Sequence, residues 1–136
     1  MTLTDTGPLV ALINRNDPNH GRCVTAARGL APGPLVTSWP CFTESMYLLY
    51  RAAGYAGQGE LWRWRSDGRL ILLDITVEQA DRMAELMAKY KDRPMDLADV
   101  SLVVLAERLG TRRIFSLDGD FHIYRLADGT TLESVP

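Results

Sequence analysis

The chain has 136 residues, with 15 basic and 17 acidic side chains, a formal charge of −2, 46% hydrophobic and 24% charged residues. That length leaves room for one compact domain with a real core, and the composition excludes a disordered or collagen-like chain. A broad electrostatic nucleic-acid binder is also excluded, because such affinity needs many Lys and Arg along the phosphates, so any nucleic-acid contact must be local. Apart from Lys89 and Lys91, every basic residue is arginine. Cys23 and Cys41 have neither a CxxC spacing nor a histidine at ligand spacing, which argues against zinc and against a disulfide framework. The opening MTLTDTGPLV has no basic leader and carries Asp5 where a signal peptide needs apolar residues. No apolar run approaches the roughly 20 residues of a membrane helix. A soluble, cytoplasmic protein is the expectation.

Apolar runs alternate with helical patterns along the chain, the signature of an α/β domain with a mainly parallel sheet. Leu3 and Thr4 end a short first strand. Asp5-Thr6-Gly7-Pro8 then offers a capping residue and a first-turn proline to a helix carrying Leu9, Val10, Leu12 and Ile13. A polar loop follows over 14–19, then a short helix from His20 to Gly29 and a second strand over Leu35 to Thr37. The next helix spans about Cys41 to Ala53, with Met46, Leu49 and Ala53 on one stripe. Gly54 and Gly57 punctuate before a separate short helix around Glu60 to Arg65. A buried strand is expected over Arg69 to Leu73, and a helix over Val77 to Tyr90 with Ala80, Met83, Ala84 and Met87 on its apolar stripe. Asp96 to Leu109 has the clearest helical period, through Leu97, Val100, Val104, Leu105 and Leu109, and Gly110 stops it. A strand over Arg113 to Leu117 leads into Asp118-Gly119-Asp120-Phe121, and Thr131 to Val135 reads as a weak edge strand.

The acids stand at informative places. Asp5 and Asp118 each follow a strand directly, and in an open parallel sheet the carboxyl ends of the strands line the ligand crevice. Glu44 lies in the first turns of the helix after strand two and can face the same crevice. Asp96 and Asp99, three apart at a helix start, share one face. Bland readings compete at each position: capping at Asp5 and Asp96, a solvated face at Glu44, an Asx turn at Asp120. Asp99 resists them best, since it sits among Leu97, Ala98, Val100 and Leu102, where an unpartnered carboxylate is costly to bury. Carboxylates gathered in a dry crevice raise one another's pKa unless a cation compensates, and an oxygen-only donor set selects a hard ion, Mg²⁺ or Mn²⁺. Such an ion can activate water and stabilise charge on a phosphoryl oxygen. Neither His20 nor His122 sits where a catalytic base is needed.

Four segments taken in order, LTDTGPLVAL from Leu3, Thr43-Glu44, MDLADVSLV from Met95 and SLDGDF from Ser116, resemble the PIN-domain ribonucleases, in particular the VapC toxins of bacterial VapBC toxin–antitoxin systems. The resemblance spans nearly the whole chain. It implies a three-layer α/β/α fold with a mainly parallel central sheet, a single domain over residues 1–136, and Mg²⁺- or Mn²⁺-dependent endonucleolytic cleavage of RNA. It also implies a homodimer and a cognate antitoxin seated in the groove. Asp5, Glu44, Asp99 and Asp118 fall on the family's catalytic, metal-binding acids, for one ion or two. Asp96 and Asp120 are adjacent supporting acids, and Thr6 and Ser116 match small hydroxyl positions, Ser116 standing where threonine is commoner. Arg15, Arg22, Arg51, Arg63 and Arg65 are candidates for RNA phosphates. Trp62 and Trp64 could stack bases, although packing is the stronger reading for both. Two rivals fail on pattern: a haloacid-dehalogenase phosphatase needs its D-x-D early and a downstream lysine, and a calcium loop from Asp118 would put Ile123 where glycine is required. A PIN-like module that binds RNA or protein without cutting remains the alternative.

Overall fold

The computed structural model describes residues 1–93 and 95–136. Five strands, β1 (Thr2–Thr4), β2 (Leu35–Ser38), β3 (Leu70–Leu73), β4 (Arg113–Phe115) and β5 (Glu133–Val135), form one sheet in the order β3-β2-β1-β4-β5. Every neighbouring pair is parallel. Parallel neighbours require crossovers; helices α1 (Thr6–Ile13), α2 (His20–Arg28), α3 (Trp39–Ser66), α4 (Val77–Lys89) and α5 (Leu97–Leu109) supply those from β1 through β4, and a segment with the 3₁₀ turn Gly119–His122 joins β4 to β5.

Side chains alternate across each strand, and the alternation sorts the layers. Leu35, Leu70, Leu72 and Phe115 pack with Leu9, Ala11, Cys23, Leu49 and Leu61 of α1, α2 and α3. Leu3, Val36 and Ile114 face the opposite way, onto Met83 and Leu86 of α4 and the apolar length of α5. The result is the three-layer α/β/α architecture with a parallel sheet. Helix α5 is buried from Val100 through Ala106. A helix apolar all round belongs in an interior, and α5 fills the space between the sheet and α4.

One local expectation holds and two change. Gly54 interrupts the helical run of α3 as expected. It takes φ 64°, ψ −154°, a conformation essentially confined to glycine, and reverses the helix so that residues 55–66 fold back on residues 39–53. Gln58 Nε2 donates to the Met46 carbonyl (3.2 Å) and Trp62 meets Phe42 edge-on at 5.0 Å. Gly57 permits this approach, since a Cβ there would stand 3.2 Å from the Leu49 carbonyl oxygen. The expected separate helix therefore begins just after Gly54. In α4 the buried positions are Met83 and Leu86, whereas Ala80, Ala84 and Met87 are exposed; α5 covers the Met83–Leu86 side. Leu97, the first residue of α5, is 54% exposed because it precedes the packed part of that helix.

Strand order places a topological switch between β1 and β4. The chain leaves β1 toward β2 on one side and returns to β4 on the other, so a crevice opens at the carboxyl ends of these two central strands.

Candidate active site

Asp5 follows β1 at that switch. Its N–H donates to the Phe115 carbonyl (2.9 Å), which stitches the end of β1 to the end of β4. The carboxylate caps α1: Oδ1 accepts the Thr6 amide at 2.7 Å, and Oδ2 accepts the Ser116 hydroxyl at 2.8 Å. Ser116 Oγ accepts the Asp118 amide (2.9 Å), and Asp118 Oδ1 accepts the Asp120 amide (2.9 Å). A relay of short bonds thus runs from the 3₁₀ turn Gly119–His122 through Ser116 to Asp5. The capping reading of Asp5 and the Asx-type turn at Asp118-Asp120 are both present, and neither removes these acids from the crevice.

Asp99 comes from the opposite layer. Asp96 caps α5, its Oδ1 accepting the Asp99 amide at 2.8 Å, while Asp99 Oδ2 accepts the Asp96 amide at 3.4 Å. This reciprocal capping box fixes both acids at the helix start. Asp96 faces solvent and Asp99 is half-buried. Glu44, half-buried on α3, completes the group.

Electrostatics tie the four together. Burial pushes the Asp5 carboxyl up to about 6; its bonds to Ser116 and Thr6 oppose the rise, and the charges of Asp118 and Glu44 add to it. Asp99 is pushed up to about 8, first by burial and then by the charges of Asp96, Asp5 and Asp118, against the Asp96 amide bond. Asp5, Glu44, Asp99 and Asp118 therefore share one electrostatic neighbourhood. Their side chains do not form a closed coordination shell: among the described residues, no group of three or more His, Cys, Asp or Glu is arranged to hold a metal ion. The donor chemistry nonetheless fits a hard dication, since all four offer oxygen, and burial together with neighbouring negative charge raises the Asp5 and Asp99 carboxyls, both of which a cation offsets.

Thr6 contributes its amide to Asp5, and its hydroxyl donates to the Cys41 carbonyl at 3.4 Å. The arginines are spread out. Arg15 and Arg22 are exposed, in the loop after α1 and on α2. Arg51 lies over the Tyr47 ring at 5.8 Å. Arg63 is paired with Glu60, and with Arg65 it flanks the turn that enters the amino end of β3, the sheet edge opposite the acids. Those two cations belong to that turn rather than to the crevice. Trp64 is likewise a packing residue, half-buried, with Arg69 over its ring at 5.4 Å. His20 Nδ1 bonds the Ala11 carbonyl (2.7 Å), a structural tie between α1 and α2.

Several neighbours of the acids carry no sequence motif. Cys41 is buried with its sulfur 4.0 Å from Asp5 Oδ1, and burial pushes the thiol up to about 12, with the Asp5 charge adding. Ser38 Oγ and Ser101 Oγ lie 2.6 Å apart, and Ser101 donates to the Ala98 carbonyl at 2.6 Å, so a hydroxyl pair joins the end of β2 to α5 beside Asp99. A lone hydroxyl inside the apolar run of α5 was the one available signal. Burial raises the Tyr124 phenol, and the charges of Asp99, Asp120, Asp118 and Asp96 raise it further.

A parallel five-stranded sheet with carboxylates converging at its switch point is the arrangement of a PIN-domain protein. The PIN domain family model matches residues 2–127, and the chain belongs to that family. Within it the chain is homologous to VapC-type toxins. It is 28% identical over 120 residues to Ribonuclease VapC26 of Mycobacterium tuberculosis, covering 85% of each chain. The crystal structure of M. tuberculosis VapC20, described as a Sarcin-Ricin loop cleaving toxin, superposes with a TM-score of 0.82 at 21% identity, over 90% of this chain and 94% of that one. DNA-bound VapBC from Salmonella typhimurium gives a TM-score of 0.66 at 19% identity, over 98% of both chains. Among the described residues no helix is long and apolar enough to cross a membrane.

Proposed function

We propose that this chain is a Mg²⁺- or Mn²⁺-dependent endoribonuclease hydrolysing RNA phosphodiester bonds, the toxin of a type II toxin–antitoxin pair, with residues 1–136 acting as one PIN domain. The observation that carries the reading is the convergence of four acids from four distant segments on one electrostatic neighbourhood, with Asp5 and Asp99 driven well above the ordinary carboxylate range. Asp5, Glu44, Asp99 and Asp118 would hold the cation, which when bound lowers the pKa of a coordinated water and stabilises charge on the phosphoryl oxygens. The surrounding residues orient the acids. Ser116 and the Thr6 amide fix both oxygens of Asp5, the Asp96 capping box fixes Asp99, and the Asp120 amide fixes Asp118.

The relatives named as a ribonuclease and as a Sarcin-Ricin loop cleaving toxin support RNA as the substrate class. A solved toxin–antitoxin complex of similar fold supports a cognate antitoxin as partner, and a homodimer accompanies that reading. Arg15, Arg22 and Arg51, exposed and outside any ion pair among the described residues, are the arginines left for RNA phosphates.

One observation favours a second reading, a PIN-like module that binds RNA or protein without cutting: among the described residues no three acids are arranged to hold a metal ion. Incubating mixed RNA with Mg²⁺ or Mn²⁺ and wild type, Asp5→Asn or Asp99→Asn separates the two. Cleavage by wild type and its loss in both variants is the expected result. Equal behaviour of all three refutes the metal-nuclease reading, and binding without cleavage establishes the second.

A further inference from the structure

Trp39 lies outside the acid constellation, 43% exposed to solvent, yet it is held from two sides. Its Nε1–H donates to Asp74 Oδ1 at 3.0 Å, and its ring meets Phe42 edge-on, 5.6 Å between centroids at 82°. A solvent-facing indole satisfies its N–H with water, so a carboxylate partner serves to fix the ring, at a cost in side-chain entropy. A ring fixed in one pose with a face left to solvent is pre-organised to receive a flat partner.

Its place in the fold says which partner. Trp39 is the residue directly after β2, whose neighbour β1 delivers Asp5, and two positions later Cys41 touches Asp5. Asp74 directly follows β3, where Leu73 is in register with Ser38. The indole therefore stands on the same carboxyl edge as the acids, displaced outward by about one strand spacing of ~5 Å. Asp74 also gathers a cation: Arg108 donates to its carbonyl at 2.9 Å and to Gln79 Oε1 at 3.4 Å. Both acceptors are uncharged oxygens, and among the described residues Arg108 makes no ion pair. An aromatic face with a guanidinium beside it that is tied up in no direct ion pair among the described residues matches a base and its phosphate.

We propose that Trp39, fixed by Asp74 and flanked by Arg108, is a stacking subsite for a base of single-stranded RNA, holding a nucleotide adjacent to the one at the acids. The subsite rests on the endoribonuclease reading above. Stacking on an indole tolerates any base, so the subsite adds affinity and register without reading sequence.

Fluorescence anisotropy of a 5′-fluorescein single-stranded RNA of mixed sequence, in EDTA so that it stays intact, tests this with wild type, Trp39→Phe, Trp39→Ala, Asp74→Asn and Asp74→Ala. Trp39→Ala should raise Kd roughly 5- to 100-fold, the range carried by one base–aromatic stack, and Trp39→Phe should keep part of the affinity. Asp74→Asn keeps an acceptor for the indole and removes a repulsive charge, so it should bind at least as tightly as wild type. Asp74→Ala removes the same charge and the anchor together, and should bind more weakly. Simple electrostatics would have both Asp74 variants bind more tightly, and that result overturns the proposal, as does a Trp39→Ala Kd within twofold of wild type. Should thermal melts show Trp39→Ala unfolded, the Asp74 pair decides. Wild type that cleaves RNA in Mn²⁺ while Trp39→Ala matches it in binding sinks the subsite alone. Wild type that neither binds nor cleaves sinks the nuclease reading and the subsite with it. A Trp39→Ala defect confined to association with a protein partner also overturns the subsite.

Discussion

Asp5→Asn should change how stability depends on pH, and both the sign and the size can be worked out. The Asp5 carboxyl rises from 3.8 to about 6 on folding, chiefly because it is buried. The folded chain therefore binds this proton more tightly than the unfolded chain. The associated stability is fully present below the unfolded value and is lost as pH rises through the folded one. Between these limits the slope is about −1.4 kcal/mol per pH unit, and by neutral pH the ionised carboxylate costs about 3 kcal/mol. Asparagine cannot ionise. It keeps the Thr6 amide bond through Oδ1 but turns an amide N–H toward Ser116 Oγ, a loss of about 1 kcal/mol. Asp5→Asn should therefore be about 2 kcal/mol more stable than wild type at pH 7 in EDTA and slightly less stable at pH 4. The Asp5 charge also helps raise Asp99, so the advantage should keep growing between pH 6 and 8. Urea unfolding of both proteins at several pH values between 4 and 8 reads this directly. A stability difference that stays flat across pH 4 to 6.5, or a variant less stable than wild type at pH 7, refutes the argument.

Three further outcomes follow from particular contacts. Ser116→Ala removes the hydroxyl that donates to Asp5 and accepts from Asp118, so it should cost about 1–3 kcal/mol in urea unfolding and move the Asp5 midpoint higher in a carboxyl-detected NMR titration. Gly54→Ala forces a side chain into a glycine-only backbone conformation, and thermal melts should show a loss of about 1–3 kcal/mol; an unchanged Tm would mean that the reversal of α3 is absent. Cys23 and Cys41 are both buried, and burial raises both thiols, so neither should react with Ellman's reagent at pH 8 until the chain is unfolded, whereas rapid labelling of the native protein would contradict their placement.

Much of the site was legible because its acids punctuate the chain. Asp5 and Asp118 each end an apolar run, and the rule that parallel strands present their carboxyl ends to ligands puts both on one edge before any fold is known. Asp99 stands out in the sequence as a charge inside an apolar helix, and it also serves that helix as half of a capping box. What stayed hidden is non-local. Gly54 reads as a terminator and is one, but the sequence does not say that the helix after it folds back on the helix before it, which its backbone angles show. The stripe of α4 rests on Leu86 rather than Ala80 or Ala84, because α5 decides which side is covered. The Trp39–Asp74 and Ser38–Ser101 contacts join residues 35 and 63 apart in the chain, and no periodicity reports such pairs.

Strand order has one last corollary, for the making of the molecule. Two of the four carboxylates come after the central strands β1 and β4, one lies on a helix of one outer layer and one on a helix of the other. No truncated product and no half-docked intermediate can assemble the quartet. Whatever these acids do together begins only once Asp118 has been added and both helical layers have closed over the sheet.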